Sequence, residues 1–254
     1  MLKRLAPIAL SLLLLAALWG CGRKAKPVLR LYCGAALRPA IAQLVEEFSR
    51  ERGVTIESDY GGSAVLLSRI KLAREGDLYL PGDARYVQSA REAGLIASSI
   101  DACYAVPVIL VAARAAGKVH ALADLTAPGL RVGLGEPTAC AIGEVSKEIL
   151  DKAGLTARVQ KNVVFTALTA DELGLQIRAG KLEAVIVWDA VAKQHPGAKI
   201  VQIDRTQNVI STIPVAVLKS SQRRDLARAF QEFAASGRGR EIWARHGFTT
   251  TPPG

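Results

Sequence analysis

Three places in the chain bring small residues to the point where an expected strand gives way to an expected helix. They are Cys33-Gly34-Ala35-Ala36-Leu37, Gly61-Gly62-Ser63 and Cys140-Ala141-Ile142-Gly143. A helix start carries N–H groups that no intrahelical carbonyl reaches, and about half a positive charge from the aligned peptide dipoles. Small side chains let an anion come up to those N–H groups. Several such starts converging on one cleft would bind an oxyanion without any Lys or Arg. Taken singly, each turn reads first as structural, because α/β proteins use small residues at such turns for tight packing.

Catalytic constellations are absent from the sequence. It has no G-x-S-x-G elbow, no Walker P-loop and no H-E-x-x-H. Gly133-Leu134-Gly135 lacks the third glycine of a dinucleotide site. His120, His195 and His246 are scattered and read as surface residues. Beyond Cys21 the thiols are Cys33, Cys103 and Cys140, an odd number, so at least one stays outside any intrachain disulfide, and none has the spacing of a zinc site. Neither an enzyme nor a cofactor nor a resident metal is expected.

Alternating elements must position these turns. Val28 to Tyr32 reads as a strand, followed by a helix with Ile41, Leu44, Val45 and Phe48 on one face and Pro39 in its first turn. Gly53 ends that helix. Val54 to Tyr60 reads as a strand, and the helix after Ser63 carries Val65, Leu66 and Ile70. A short strand at Asp77 to Leu80 and a helix from Ala84 to Ala93 complete the first group. The second group opens on an apolar strand, Tyr104 to Ala112. It continues with strands at Leu130 to Gly133, Val159 to Phe165 and Ala184 to Trp188, a helix from Gly143 to Ala153, and a Thr169/Glu172 capping box. Ser211 to Leu218 is a further strand, and helices near Asp225 to Ala234 and Arg240 to Arg245 close the chain. Strands alternating with helices imply an α/β class with mixed, mainly parallel sheets, and two such groups imply two lobes. Ligand is then expected outside the carboxyl ends of the strands.

With these elements in place, a resemblance can be stated. Ala35-Ala36-Leu37 before a helix with Phe48, Gly62-Ser63 opening a helix, Gly76-Asp77-Leu78-Tyr79 and the Asp83 turn follow one another in order. So do Gly135-Glu136-Pro137 with Gly143 and Lys147-Glu148, then Ala184 to Trp188 with Asp189-Ala190, and the ending Arg245-His246-Gly247-Phe248. The series resembles the periplasmic molybdate-binding proteins over nearly the whole chain after residue 27. The resemblance implies the two-lobed type II periplasmic binding fold with a hinge between lobes, and delivery of an oxyanion, molybdate or tungstate, to an ABC permease and ATPase. Carried over position by position, it implies ligand contacts at Ala36, Ser63, Ile142, Ala170 and Trp188. That family usually has a hydroxyl residue where Ala36 stands and a tyrosine where Trp188 stands; an indole N–H can donate in the tyrosine's place. Cys33 and Cys140 are expected near the cleft. Asp189 and Glu144 read as capping or surface groups, since a bare carboxylate repels an oxyanion, with completion of a tungsten coordination shell the other reading. The same scaffold could take another small anion or serve as a lipoprotein sensor, and these alternatives stay open.

The N-terminus reads as an export signal. Lys3 and Arg4 precede an apolar stretch from Leu5 to Trp19, and Gly20-Cys21 follows. The small-residue-then-Cys ending resembles the lipobox of bacterial lipoproteins, which implies lipidation of Cys21. The expected organisation is a signal peptide at 1–20, a lipidated tether at 21–27, a first lobe from 28–104 completed by 212–254, and a second lobe at 105–211. The strands Ala105 to Ala112 and Ser211 to Leu218 would carry the crossovers. A monomer on the periplasmic or cell-surface face of a bacterial membrane is expected. Setting aside Lys3 and Arg4 leaves 31 basic against 23 acidic side chains. With few aromatics and an export signal, that excess argues for a basic face near a membrane and against nucleic acid.

Overall fold

The structure is a computed structural model and describes residues 26–252. The proposed signal segment and Cys21 lie outside the described residues. Two five-stranded sheets form two α/β lobes. The first sheet has the order β2-β1-β3-β10-β4, built from β1 (Val28–Gly34), β2 (Thr55–Gly61), β3 (Leu78–Leu80), β4 (Ile96–Ala105) and β10 (Ser211–Leu218). The second has the order β7-β6-β8-β5-β9, from β5 (Pro107–Val111), β6 (Val132–Gly135), β7 (Val163–Ala167), β8 (Ala184–Trp188) and β9 (Lys199–Gln202). In each sheet one strand, β10 or β5, runs against its neighbours.

Helices follow the apolar spacing. Helix α1 (Arg38–Arg52) buries Ile41, Leu44 and Phe48, takes Pro39 in its first turn and ends at Gly53, whose φ is 62°. Helices α2 (Ser63–Ala73) and α3 (Ala84–Glu92) complete this part of the first lobe. The second lobe carries α4 (Ala141–Lys152), α5 (Thr156–Gln160), α6 (Ala170–Arg178) and the short α7 (Asp189–Ala192). Helices α8 (Arg224–Ala235) and α9 (Gly237–Arg245) return to the first lobe. Phe48 of α1 meets Phe230 of α8 edge-on, with ring centroids 5.3 Å apart, and Arg238 of α9 pairs with Glu47 of α1 at 2.8 Å.

Three sequence expectations need correction. The run Tyr104 to Ala112 is two strands in different sheets, broken at Val106: Ala105 pairs with Ser211, and Pro107 pairs with Trp188. A continuous apolar run does not reveal a chain changing sheets, although Pro107 marks a strand start. The strand expected from Val159 begins at Val163, because Thr156–Gln160 is helical and buries Val159 inward. The strands Ile96–Ala105 and Lys199–Gln202 were not anticipated. Both lie at sheet edges, where half-exposed residues such as Ser98 and Ser99 and exposed ones such as Asp101 blur the apolar signal.

Candidate functional site

The carboxyl ends of β1 and β2 face those of β6 and β8 across the division between lobes. There the three small-residue turns meet a fourth helix start, that of α6. Gly34 to Leu37, Gly61 to Ser63, Gly82, Cys140 to Ile142, Thr169, Ala170 and Trp188 enclose one cavity of about 20 Å3. That exceeds the roughly 10–15 Å3 needed to admit a water. All five positions implied by the resemblance, Ala36, Ser63, Ile142, Ala170 and Trp188, line it. Among the described residues no charged side chain does.

Each element brings its residue to the cavity for a local reason. Ala36 lies in a 3-10 turn, Ala35–Leu37, between β1 and α1. Ser63, Ile142 and Ala170 occupy the first turns of α2, α4 and α6, where backbone N–H groups have no intrahelical acceptor. At α6 the Thr169 hydroxyl accepts the Glu172 N–H at 3.3 Å. The Glu172 carboxylate accepts from Leu168 at 2.9 Å instead of from Thr169, a capping box displaced by one residue.

Two side chains add donors. The Ser63 hydroxyl oxygen accepts the Gly82 N–H at 2.9 Å, which leaves its own hydrogen free for the cavity. The Ser63 carbonyl accepts the Tyr79 hydroxyl at 2.8 Å, fixing the turn from behind. Trp188 is 2% exposed, and its indole N–H has no protein acceptor among the described residues. A Cβ at Gly82 would stand 3.9 Å from that nitrogen and 3.2 Å from the Ala141 Cβ, so the turn fits closely against the second lobe.

The lobes are closed on one another. The Ala64 N–H of α2 donates to the Ala139 carbonyl at 3.1 Å. A Cβ at Gly62 would come within 2.4 Å of that same oxygen and 2.8 Å of the Leu168 carbonyl. Arg85 of α3 pairs with Asp83 at 2.9 Å and reaches across to Glu144 at 3.3 Å and Glu148 at 3.0 Å on α4. Asp83 also accepts the Ser211 hydroxyl at 2.5 Å.

The remaining expected residues fall at different depths. Cys140 lines the cavity, and burial pushes its thiol up to about 11, so it stays neutral near pH 7. Its Sγ lies 3.6 Å from the Glu136 carbonyl and 3.8 Å from that of Ala167. Cys33 is buried beneath the site without lining it, and Cys33, Cys103 and Cys140 are all free thiols. Neither Glu144 nor Asp189 lines the cavity. Glu144 bridges the lobes through Arg85; Asp189, read from sequence as a capping or surface group, is 8% exposed and belongs to the crossover. Asp171, beside Ala170, has its carboxyl pushed up by burial, with Arg38 opposing. Among the described residues no group of His, Cys, Asp and Glu could hold a metal ion, and no helix is long and apolar enough to cross a membrane.

Sequence reasoning missed Gly82 as part of the wall. Its signal was the Pro81-Gly82-Asp83 turn, where a Cβ would press on Ala141 of the other lobe.

The model of bacterial extracellular solute-binding proteins matches residues 29–249. A molybdate-binding protein ModA of Mycobacterium tuberculosis is 27% identical over 222 residues, covering 86% of this chain and 83% of that protein. One further relative, a binding protein of Haemophilus influenzae, is spanned over 65% of its length. Among solved structures, the periplasmic molybdate-binding protein of Azotobacter vinelandii superposes with a TM-score of 0.73 at 17% identity, over 89% of this chain and 100% of that one. The sulfate-binding protein SubI of Mycobacterium tuberculosis superposes with a TM-score of 0.77 at 18% identity, over 89% and 88%.

Proposed function

Since the chain belongs to the family of bacterial extracellular solute-binding proteins, we propose that it captures a small tetrahedral oxyanion, molybdate or tungstate, and delivers it to an ABC permease and ATPase. The observation that carries this reading is the meeting of helix starts from both lobes around a cavity with no charged lining. Unpaired N–H groups and helix dipoles suit a compact anion and need no counter-charge. The Ser63 hydroxyl and the Trp188 indole supply two directed donors to its oxygens.

Closure belongs to the function. An anion bridging Ser63 of the first lobe and Ile142, Ala170 and Trp188 of the second adds contacts that only the closed form has, and so shifts the lobes toward closure. The closed form is what a transporter would accept. Lipidation at Cys21 would hold the monomer at the membrane where that transporter lies.

Titration calorimetry with molybdate, tungstate, sulfate, phosphate and fructose 6-phosphate tests the reading. Saturable 1:1 binding of molybdate and tungstate is expected, with no heat from the sugar phosphate, whose hexose would have to part lobes that the Ala64 N–H to Ala139 carbonyl bond holds together. Heat from the sugar phosphate alone would overturn it.

Sulfate is the second reading. Its support is Ala36, where the resemblance implies a hydroxyl residue, together with the likeness to a sulfate-binding protein. Tight sulfate binding with weak molybdate binding would favour it.

A further inference from the structure

The turn after β3 serves the cavity, the crossover and the opposite lobe within a few residues. Gly82 lines the cavity, and its N–H donates to the Ser63 hydroxyl at 2.9 Å. Asp83, 6% exposed, caps α3 and accepts the Ser211 hydroxyl at 2.5 Å, where β10 begins after the return crossover. Arg85 reaches the other lobe. Its Nε is held by Asp83 at 2.9 Å, while Nη1 and Nη2 meet Glu144 at 3.3 Å and Glu148 at 3.0 Å on α4. Each nitrogen of one guanidinium thus faces a different carboxylate, a fork that a lysine ammonium does not reproduce.

The two helices gain little from these charges by themselves. Arg85 lies in the first turn of α3, where the dipole disfavours a cation. Glu144 suits the first turn of α4, but Glu148 follows four residues on, on the same face, where like charges repel. Lys147, between them, pairs with Asp151 instead. Among the described residues Arg85 is the one cation within 4 Å of either glutamate. The three charges are therefore reconciled where the lobes meet, and none of them lines the cavity.

We propose that Arg85, Glu144 and Glu148 form an ionic latch that sets how long the cleft stays closed, with Asp83 as the positioning residue that aims the arginine. The latch touches no ligand. Its pairs exist in the closed form and are lost when the lobes part, so they slow release without taking part in recognition. The proposal rests on the reading of this chain as one that captures an oxyanion by closure.

The test compares the full mature chain with Glu144→Gln/Glu148→Gln, with Arg85→Gln and with the triple variant. Rapid filtration with radiolabelled molybdate gives the dissociation rate, and stopped-flow tryptophan fluorescence gives the association rate. The glutamine pair removes negative charge and speeds association of the anion, whereas Arg85→Gln removes positive charge and slows it. Dissociation separates the latch from such steering. It should rise about 3- to 10-fold in both variants, as expected for two partly exposed ion pairs. The triple variant should dissociate no faster than Arg85→Gln, because one interaction has been removed either way. Asp83→Asn, which keeps an acceptor for Ser211, should speed dissociation in the parent and not in the triple variant. Unchanged dissociation in either variant, or effects that multiply in the triple variant, overturns the latch. Solution scattering of the unloaded chains reads the latch apart from the ligand. If molybdate and tungstate both fail to bind, the oxyanion reading fails; variants more open than the parent then support the latch, and identical curves overturn it.

Discussion

Asp189 holds Val106 from both sides. Its backbone N–H donates to the Val106 carbonyl at 2.8 Å, and its carboxylate accepts the Val106 N–H at 3.2 Å. Val106 is the single residue between β4 of the first sheet and β5 of the second. The clasp therefore grips the chain where it passes between lobes. The same carboxylate pairs with Lys193 at 3.1 Å, and Lys193 reaches the Gly247 carbonyl at 2.7 Å on the C-terminal segment. Asp189 directly follows Trp188, so one turn joins a cavity wall to the crossover.

Removing that carboxylate should loosen the crossover. Asp189→Ala leaves the Val106 N–H without its acceptor, at a cost of about 1–3 kcal/mol, while Lys193 keeps the Gly247 carbonyl. Asp189→Asn keeps an acceptor and should cost less. Urea denaturation of both variants checks the order; equal stability of Asp189→Ala and the parent would refute the clasp.

Ser63 should matter through its hydroxyl. Ser63→Ala removes a donor to the anion and the acceptor of Gly82, and hydrogen bonds to charged groups are worth about 1.5–3 kcal/mol. Affinity for molybdate should fall roughly 10- to 100-fold in calorimetry. An unchanged affinity would leave the hydroxyl a purely structural role.

At Trp188 the indole N–H is separable from the ring. Trp188→Phe keeps most of the apolar wall and removes the donor, whereas Trp188→Tyr returns a donor at a different reach. Affinity should decrease for the phenylalanine variant by about 1.5–3 kcal/mol, the range for a hydrogen bond to a charged group, with tyrosine between it and the parent.

Gly62 marks the closest approach of the lobes. Its φ of −69° suits any residue, so Gly62→Ala carries no backbone strain. The added Cβ would meet the Ala139 carbonyl oxygen at 2.4 Å. Closure, not folding, should suffer: an overpacking cost of about 1–3 kcal/mol predicts a fall in affinity of about 10- to 100-fold. Solution scattering should show the ligand-loaded variant more open than the loaded parent.

The pH dependence follows from Cys140. Burial raises its thiol from an ordinary 9.0 to about 11. The unfolded chain then releases this proton at lower pH than the native one, so stability is complete below about pH 9 and declines as pH rises toward 11. Burial moves Cys33 and Cys103 in the same direction. Thermal melts from pH 7 to 11 should show the decline, reduced in Cys140→Ala. Between pH 6 and 8 the thiol stays neutral and oxyanion affinity should not vary on its account.

Much of this architecture was legible in the sequence, because helix and strand periods and glycine stops are local signals. Pro39, Gly53 and Thr169 announced their helix ends. The small residues at 33–37, 61–63 and 140–143 announced turns that do meet around one cavity. The division at Val106 was hidden because Cys103 to Ala112 is apolar on both sides of it, and only pairing with Ser211 or Trp188 tells the halves apart. The Asp189 clasp and the Arg85 bridge to Glu144 and Glu148 join segments far apart in the chain. No local pattern encodes such pairs, so Asp189 read as a capping or surface group, although it is buried at the crossover, and Glu144, which does lie at the surface, gave no sign of its partner on the other lobe.

The most direct measurement is a crystal structure of the tungstate-soaked protein with anomalous data at the tungsten edge. The account predicts one strong peak inside the cavity. Its oxygens should lie about 2.7–3.2 Å from the Ser63 hydroxyl, the Ile142 and Ala170 N–H groups and the Trp188 indole nitrogen. A peak elsewhere on the molecule, or no peak at saturating tungstate, would contradict it.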